Sequence, residues 1–158
     1  MKINQINKYL FNRLIHVTHW LTEKESRNWL GKPVSRALGT LTLGVKQGAP
    51  KTQLLDAAKE WQRMFPSKKM VPIVSANDDV VIAEIHSECP YRGSGNVHGC
   101  FRMMEYDRKL MEVIGADFVV LQSQAEPGVI NCRVAISRDS RNLVPAHVRV
   151  IATDIPIV

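Results

Sequence analysis

The chain has 158 residues, of which 45% are hydrophobic and 23% charged, and a formal net charge of +6, a composition typical of a globular domain. A chain of this length can bury a core without disulfides or metal ions, so residues 1–158 are predicted to form a single domain. No apolar stretch reaches the roughly 18 residues that span a bilayer, and polar residues interrupt the N-terminal apolar pattern, so we expect a cytoplasmic protein without membrane contact.

Positive charge is concentrated in the first part of the chain. Residues 1–70 contain 13 Lys and Arg against 4 Asp and Glu, whereas residues 71–158 contain 8 against 11. A basic half is typical of nucleic-acid-binding proteins, but these Lys and Arg are mostly spaced singly and no nucleic-acid-binding motif accompanies them. Nucleic-acid binding is therefore ranked last among the three functions considered for this chain. The basic half could instead pack against the acidic half or attract a small anionic substrate.

The basic half is predicted to be mostly helical, because apolar residues recur there at helical spacing. Helices are expected from about Asn4 to Leu21, from the capping box of Thr22 and Glu25 to Gly31, from Pro33 onward, and over the apolar stripe between Leu55 and Phe65,. The three tryptophans, Trp20, Trp29 and Trp61, are interpreted as core residues. His16 and His19 are interpreted as packed or capping residues outside any site.

The acidic half is predicted to alternate between strands and a helix. Strands are expected at Val80 to His86, Phe118 to Leu121 and Val129 to Ile136, with a helix from Cys100 to Gly115,. A last short strand is left open around Val148 to Ile151. The order predicts an α+β fold, in which N-terminal helices pack on a small, mainly antiparallel sheet and one further helix lies between strands.

A cluster of thiols and imidazoles flanks the loop between the first strand and that helix. His86 and Cys89 precede the loop, His98 and Cys100 follow it, and Cys132 lies on a later strand. The loop could fold these side chains together, as a zinc or iron site requires, although the spacing matches no standard zinc module. Burial of the cysteines in the core, with no cofactor bound, is the alternative.

Cys100 is also a candidate nucleophile. The N-terminus of the predicted helix would stabilise its thiolate, and His98 could act as its base. Asp107 and Glu105, on the same helix, could orient the base or hold a substrate amine. Tyr91 and Arg92, in the loop, are candidate contacts for a ligand's ring and carboxylate. Exposure on a solvated surface explains these last four residues equally well.

Residues 88–136 resemble the C-terminal half of the L-2-amino-thiazoline-4-carboxylic acid hydrolase-like family and, more remotely, the 4-vinyl reductase-type small-molecule-binding domain. The resemblance lies in Cys100 at the start of the helix, Asp107 within it, and a Gly-x3-Cys element formed by Gly128 and Cys132. Gln124 stands where metal-binding members of the second group carry a further cysteine, and we place it among the substrate-binding residues.

The resemblance implies a hydrolase that cleaves a C–N bond of a small cyclic amidine through a Cys/His site. The alternative is a non-catalytic small-molecule or metal-binding sensor, whose apolar ligand pocket lies between the sheet and the Trp- and Met-bearing helices. The hydrolase predicts a reactive, accessible thiol, and the sensor predicts a dry cavity and inert cysteines. Homo-oligomerisation is left open.

Overall fold

The structure, a computed structural model, describes residues 3–148, without the side chains of residues 3–8 and 10–12. It has the predicted α+β fold, with N-terminal helices covering an antiparallel sheet of strand order β1-β2-β4-β3. The elements are α1 (Ile3–Thr22), α2 (Asn28–Lys46), α3 (Leu54–Arg63), β1 (Ile73–Ala76), β2 (Val80–Ile85), α4 (Val97–Met103), α5 (Glu105–Ile114), β3 (Asp117–Gln122) and β4 (Cys132–Ser137). Within these described residues, every helix is too short or too polar to cross a membrane. The strand considered around Val148 to Ile151 falls almost wholly outside them.

One long helix replaces the two predicted on either side of Gly31. The predicted capping box of Thr22 and Glu25 is wrong, because Glu25–Arg27 forms a short 3-10 turn. The helix α2 then runs through Gly31 and Pro33 to Lys46. The buried residues of α2 recur every four positions, namely Gly31, Ser35, Gly39 and Leu43. A Cβ atom at Gly39 would lie 3.0 Å from the backbone oxygen of Tyr106. Gly39 therefore lets α2 pack closely on α5, and Gly31 lets it pack closely on the end of α1. This packing outweighs the poor helix propensity of Gly and Pro.

The helix predicted from Cys100 to Gly115 is two helices separated by a turn at Met104. The first of them, α4, begins earlier than expected because the Asn96 side chain caps it, accepting a hydrogen bond of 2.8 Å from the Gly99 amide,. The second, α5, ends as predicted at Gly115, whose φ of 98° is a left-handed conformation that glycine adopts readily,.

The sheet carries the core on one face. In β2, buried Val81, Ala83 and Ile85 alternate with half-buried residues, as predicted for this strand, and Ile85 pairs with Cys132 of β4. The strand β1 was not predicted, because it is a short edge strand with three exposed residues and little alternation,. Ile85 is the last residue of β2 and Cys132 is the first residue of β4, so their pairing places buried Cys132 next to the loop that follows β2.

The two halves share one core and are joined by ion pairs. Trp61 is fully buried in that core, as predicted, but Trp20 and Trp29 are 58% and 74% exposed, so their assignment to the core is wrong. Arg36 of α2 pairs with Glu105 at 3.3 Å and also with Glu112, both on α5. Part of the positive charge of the basic half is thus neutralised by the acidic half.

Candidate functional site

A cavity of about 150 Å³ lies between the helices and one end of the sheet. Its walls come from α1 and α2, the junction of α4 and α5, the end of β2 and the loop that follows. Most are apolar, including Leu14, Ile15, Leu38, Leu41, Phe65, Ile85, Pro90, Met103 and Met104. A largely apolar cavity of this volume can hold a molecule about the size of benzene.

Asp107 contributes a buried carboxyl group to this cavity. It is 6% exposed, and one of its oxygens accepts a hydrogen bond of 2.9 Å from the indole N–H of Trp61. Burial raises the pKa of Asp107 to about 6, although the Trp61 hydrogen bond and the positive charge of Arg108 act in the opposite direction. Near neutral pH this group can therefore gain or lose a proton, which an ordinary aspartate does not do.

A more polar groove of about 540 Å³ adjoins the cavity. Ile15 and the segment 87–90 line both spaces, and the groove adds His16, Met70 and His86. The Nε2 atom of His86 lies 2.7 Å from a carboxylate oxygen of Glu84. His16, which the sequence placed outside any site, thus lies at the approach to the cavity.

Gln124 lines the cavity but uses its polar atoms to hold the wall together. Its Nε2 donates hydrogen bonds of 3.0 Å to the backbone oxygens of Ile85 and Ser87. Its Oε1 accepts hydrogen bonds from the Cys89 amide, at 3.3 Å, and from Arg92 Nε, at 3.0 Å. This buried amide fixes the loop after β2 to the segment before β4.

The three cysteines lie close together, but their environment is unlike that expected for a nucleophile. Hydrogen bonding with Cys132, followed by burial, raises the pKa of Cys100 well above its ordinary value. Burial, together with nearby Cys100, raises the pKa of Cys89 to about 12. Cys100 also lies in the second turn of a short helix, where its amide already bonds to the Asn96 oxygen. The expected accessible, stabilised thiolate at Cys100 is therefore wrong.

The histidines do not join the cysteines. His98 is exposed in the first turn of α4, and its ring lies 6.0 Å from that of His147, so it is not placed as a base for buried Cys100. His86 is exposed and bonded to Glu84. Among residues 3–148, no group of three or more His, Cys, Asp or Glu is arranged to hold a metal ion. The proposed ligands His86, Cys89, His98, Cys100 and Cys132 thus gain no support as a zinc or iron site.

Three predicted substrate contacts have structural partners instead and do not line the cavity. Tyr91 is buried, and its hydroxyl hydrogen-bonds with Thr22 Oγ1 at 2.9 Å, which ties the loop to α1. Arg92 binds Gln124 and, at 3.1 Å, the Ile130 oxygen. Glu105 pairs with Arg36 and Arg108. The expected recognition of a ligand ring and carboxylate by Tyr91 and Arg92 is not what their contacts indicate.

Comparisons with protein-family models, with curated proteins and with solved structures found no match to this chain. The resemblance to the hydrolase-like family and to the small-molecule-binding domain therefore stays a prediction.

Proposed function

We propose that this protein binds a small, largely apolar molecule in the cavity around Asp107. The observation that carries the proposal is the cavity itself, which combines apolar walls with one buried carboxyl group. Ligand pockets commonly have this composition, in which apolar surface supplies affinity and a few polar groups fix orientation. The raised pKa values of Cys89 and Cys100 support binding over thiol chemistry, since a protonated, buried thiol is a poor nucleophile.

Toluene is a suitable first probe because its size suits the cavity. We expect it to shift the methyl NMR signals of Met103 and Met104, which line the cavity. The signals of Met64 and Met111, buried elsewhere in the core, should move much less. Unchanged Met103 and Met104 signals at saturating toluene would overturn the proposal.

A pair of threonine substitutions tests the location independently. Thr18 lines the cavity, and Thr40 is exposed on α2; each donates a hydrogen bond to a backbone oxygen four residues earlier. Thr18→Phe places a ring in the cavity and should abolish toluene binding, whereas Thr40→Phe should leave it unchanged. Circular dichroism establishes that each variant is folded before binding is compared.

A second candidate function is hydrolysis of a C–N bond in a small cyclic amidine, with Asp107 acting as an acid on a water attack instead of Cys100 acting as the nucleophile. A carboxyl group with a pKa of about 6 is suited to proton transfer near neutral pH. Water would add to the amidine carbon and pass one proton to the ring nitrogen; the ring C–N bond would then break, and the departing nitrogen would take the Asp107 proton. The carboxylate would regain a proton from the added water.

The hydrolytic alternative is tested with 2-amino-2-thiazoline, whose ring opening is followed by NMR. Asp107→Asn should lower the rate about 100-fold or more, and Cys100→Ala should retain it. If the wild type binds toluene but does not open the ring of 2-amino-2-thiazoline, binding alone remains as the function.

A further inference from the structure

We propose that the preferred ligand carries a cationic amine on its apolar body, and that Asp107 binds that amine inside the cavity. This inference rests on the proposed binding function and specifies its ligand. The geometry behind it is a carboxyl group that lines an apolar cavity and is almost completely removed from water. The other acidic residue among the described lining is Glu88, which is exposed where the cavity meets the outer groove.

The charges around the described part of the cavity favour a cation over an anion. No Lys or Arg is among the described residues that line it. Arg108, the nearest cation to Asp107 along α5, binds Glu105 and the Phe101 oxygen and stacks 4.1 Å from the Phe101 ring. Its guanidinium therefore stabilises Asp107 from outside the cavity. Among the described lining residues, no basic group is available to pair with a ligand carboxylate.

Three other polar side chains of the wall, those of Thr18, Thr42 and Gln124, are already bonded within the protein. The Thr18 hydroxyl donates to backbone oxygens of α1, at 3.0 and 2.9 Å. The Thr42 hydroxyl donates to the Leu38 oxygen at 2.9 Å and accepts from the Tyr106 hydroxyl at 3.2 Å. Gln124 is engaged at both ends of its amide. Asp107 is thus the buried group best placed to select a ligand by its polarity.

An amine also compensates for the cost of burying Asp107. A carboxylate in an apolar environment is unfavourable unless it is paired and hydrogen-bonded. Trp61 supplies one neutral donor, and a ligand ammonium would add a positive charge with N–H groups. A hydrogen bond to a charged group in such a site is stronger than one between neutral groups. A ligand carboxylate would instead meet a second buried negative charge.

Three probes of similar size separate these cases, namely benzylamine, toluene and benzoate. Their affinities for the full chain are measured near neutral pH by calorimetry and by the Met103 and Met104 methyl signals. We expect benzylamine to bind about tenfold or more tightly than toluene, and benzoate to bind most weakly. Asp107→Asn is the matched variant, because the amide oxygen can still accept the Trp61 hydrogen bond without carrying a charge. It should remove the preference for benzylamine over toluene.

Each outcome assigns the failure to one proposal. Toluene binding with no preference for benzylamine overturns the amine inference and leaves the binding function standing. A preference that survives in Asp107→Asn places the amine elsewhere and also overturns the inference. Absence of toluene binding overturns the proposed function itself, and with it the inference.

Discussion

Asp107 and Cys100 are both buried acids, seven positions apart on consecutive helices, and the same physical effect has opposite consequences for them. The hydrogen bond with Cys132, followed by burial, raises the pKa of Cys100, and burial raises the pKa of Asp107, because burial disfavours the charged form of each group. Asp107 is brought from its ordinary value of 3.8 to about 6, whereas Cys100 is carried further from neutrality. Burial therefore makes a carboxyl group responsive near neutral pH and makes a thiol inert.

Their partners reinforce the difference. Asp107 faces a neutral indole donor and a cavity. Cys100 faces Cys132, a second weak acid whose hydrogen bond is the largest cause of its raised pKa. Whether a group is chemically active near neutral pH is therefore decided by its surroundings rather than by its intrinsic reactivity. Apart from the controls, each substitution below changes either the Asp107 side or the Cys100 side of this contrast.

The largest effect is expected from removing the partner of Asp107. Trp61→Ala leaves a void in the core and an unpaired buried carboxyl, so it should lower the free energy of unfolding by about 3–5 kcal/mol. Trp29→Ala, at a position that is 74% exposed, should change it by less than about 0.5 kcal/mol. Denaturant unfolding of both variants measures the difference, and equal effects would contradict the assignment of Trp61 to the core.

Asp107→Asn should stabilise the protein in a pH-dependent manner. The folded state holds the Asp107 proton more tightly than the unfolded state, so wild-type stability falls as the pH rises from about 4 through about 6,. The variant lacks this loss. Its advantage over the wild type in unfolding free energy should therefore be greater above about pH 6 than at acidic pH, by on the order of 3 kcal/mol.

Glu112→Gln is the control of opposite sign. Hydrogen bonds from Lys109 and Arg36 lower the pKa of Glu112, so its contribution is present above its unfolded pKa and is lost on acidification. The effect should be small because the group is largely exposed. Unfolding curves between pH 4 and 8 measure both variants, and a pH profile of Asp107→Asn parallel to wild type would show that Asp107 titrates normally.

Gln124→Leu tests the cavity wall that Gln124 shares with Asp107, Cys89 and Cys132. The substitution leaves the Ile85 oxygen without its hydrogen bond from Gln124 and should cost about 1–3 kcal/mol in unfolding free energy,. Gln122→Leu, at an exposed position of β3, should have little effect. Faster amide exchange at Cys89 in the Gln124 variant would locate the loss in the loop, whereas unchanged exchange there would argue against a holding role.

The smallest effect is expected on the thiol side. Cys100 does not line the described cavity, so Cys100→Ala should change toluene or benzylamine affinity by roughly twofold at most. Alkylation of the wild-type cysteines by iodoacetamide at neutral pH should be far slower than in the unfolded chain. Rapid labelling of Cys100 in the folded protein would restore it as a candidate nucleophile.

Local patterns predicted most elements, and the errors occur where tertiary packing decides. The alternation of β2 and the glycine that ends α5 are visible in the sequence, because period and capping are local properties. The continuity of α2 through Gly31 and Pro33 depends on close packing against the end of α1 and against α5, which no local rule contains. The short edge strand β1 has too little alternation to be recognised.

For the site, the sequence identified residue types but not their surroundings. Asp107 and Gln124 were among the candidates, and the structure places both in the cavity wall. The spacing of the cysteines and histidines predicts a metal or nucleophilic site, but local spacing does not reveal that Cys100 is buried and His98 is exposed. Nor could it show that Leu14 of α1 and Thr42 of α2 meet Asp107 around one space, because that follows from helix packing.

Titration of the Asp107 carboxyl carbon by ¹³C NMR tests the central claim most directly, with Asp107→Asn used to assign the signal. We predict a pKa of about 6, raised further by toluene, which removes water from the carboxyl, and lowered by benzylamine, which pairs with it. A pKa near 3.8, the ordinary value for aspartate, unchanged by either compound, would contradict the account.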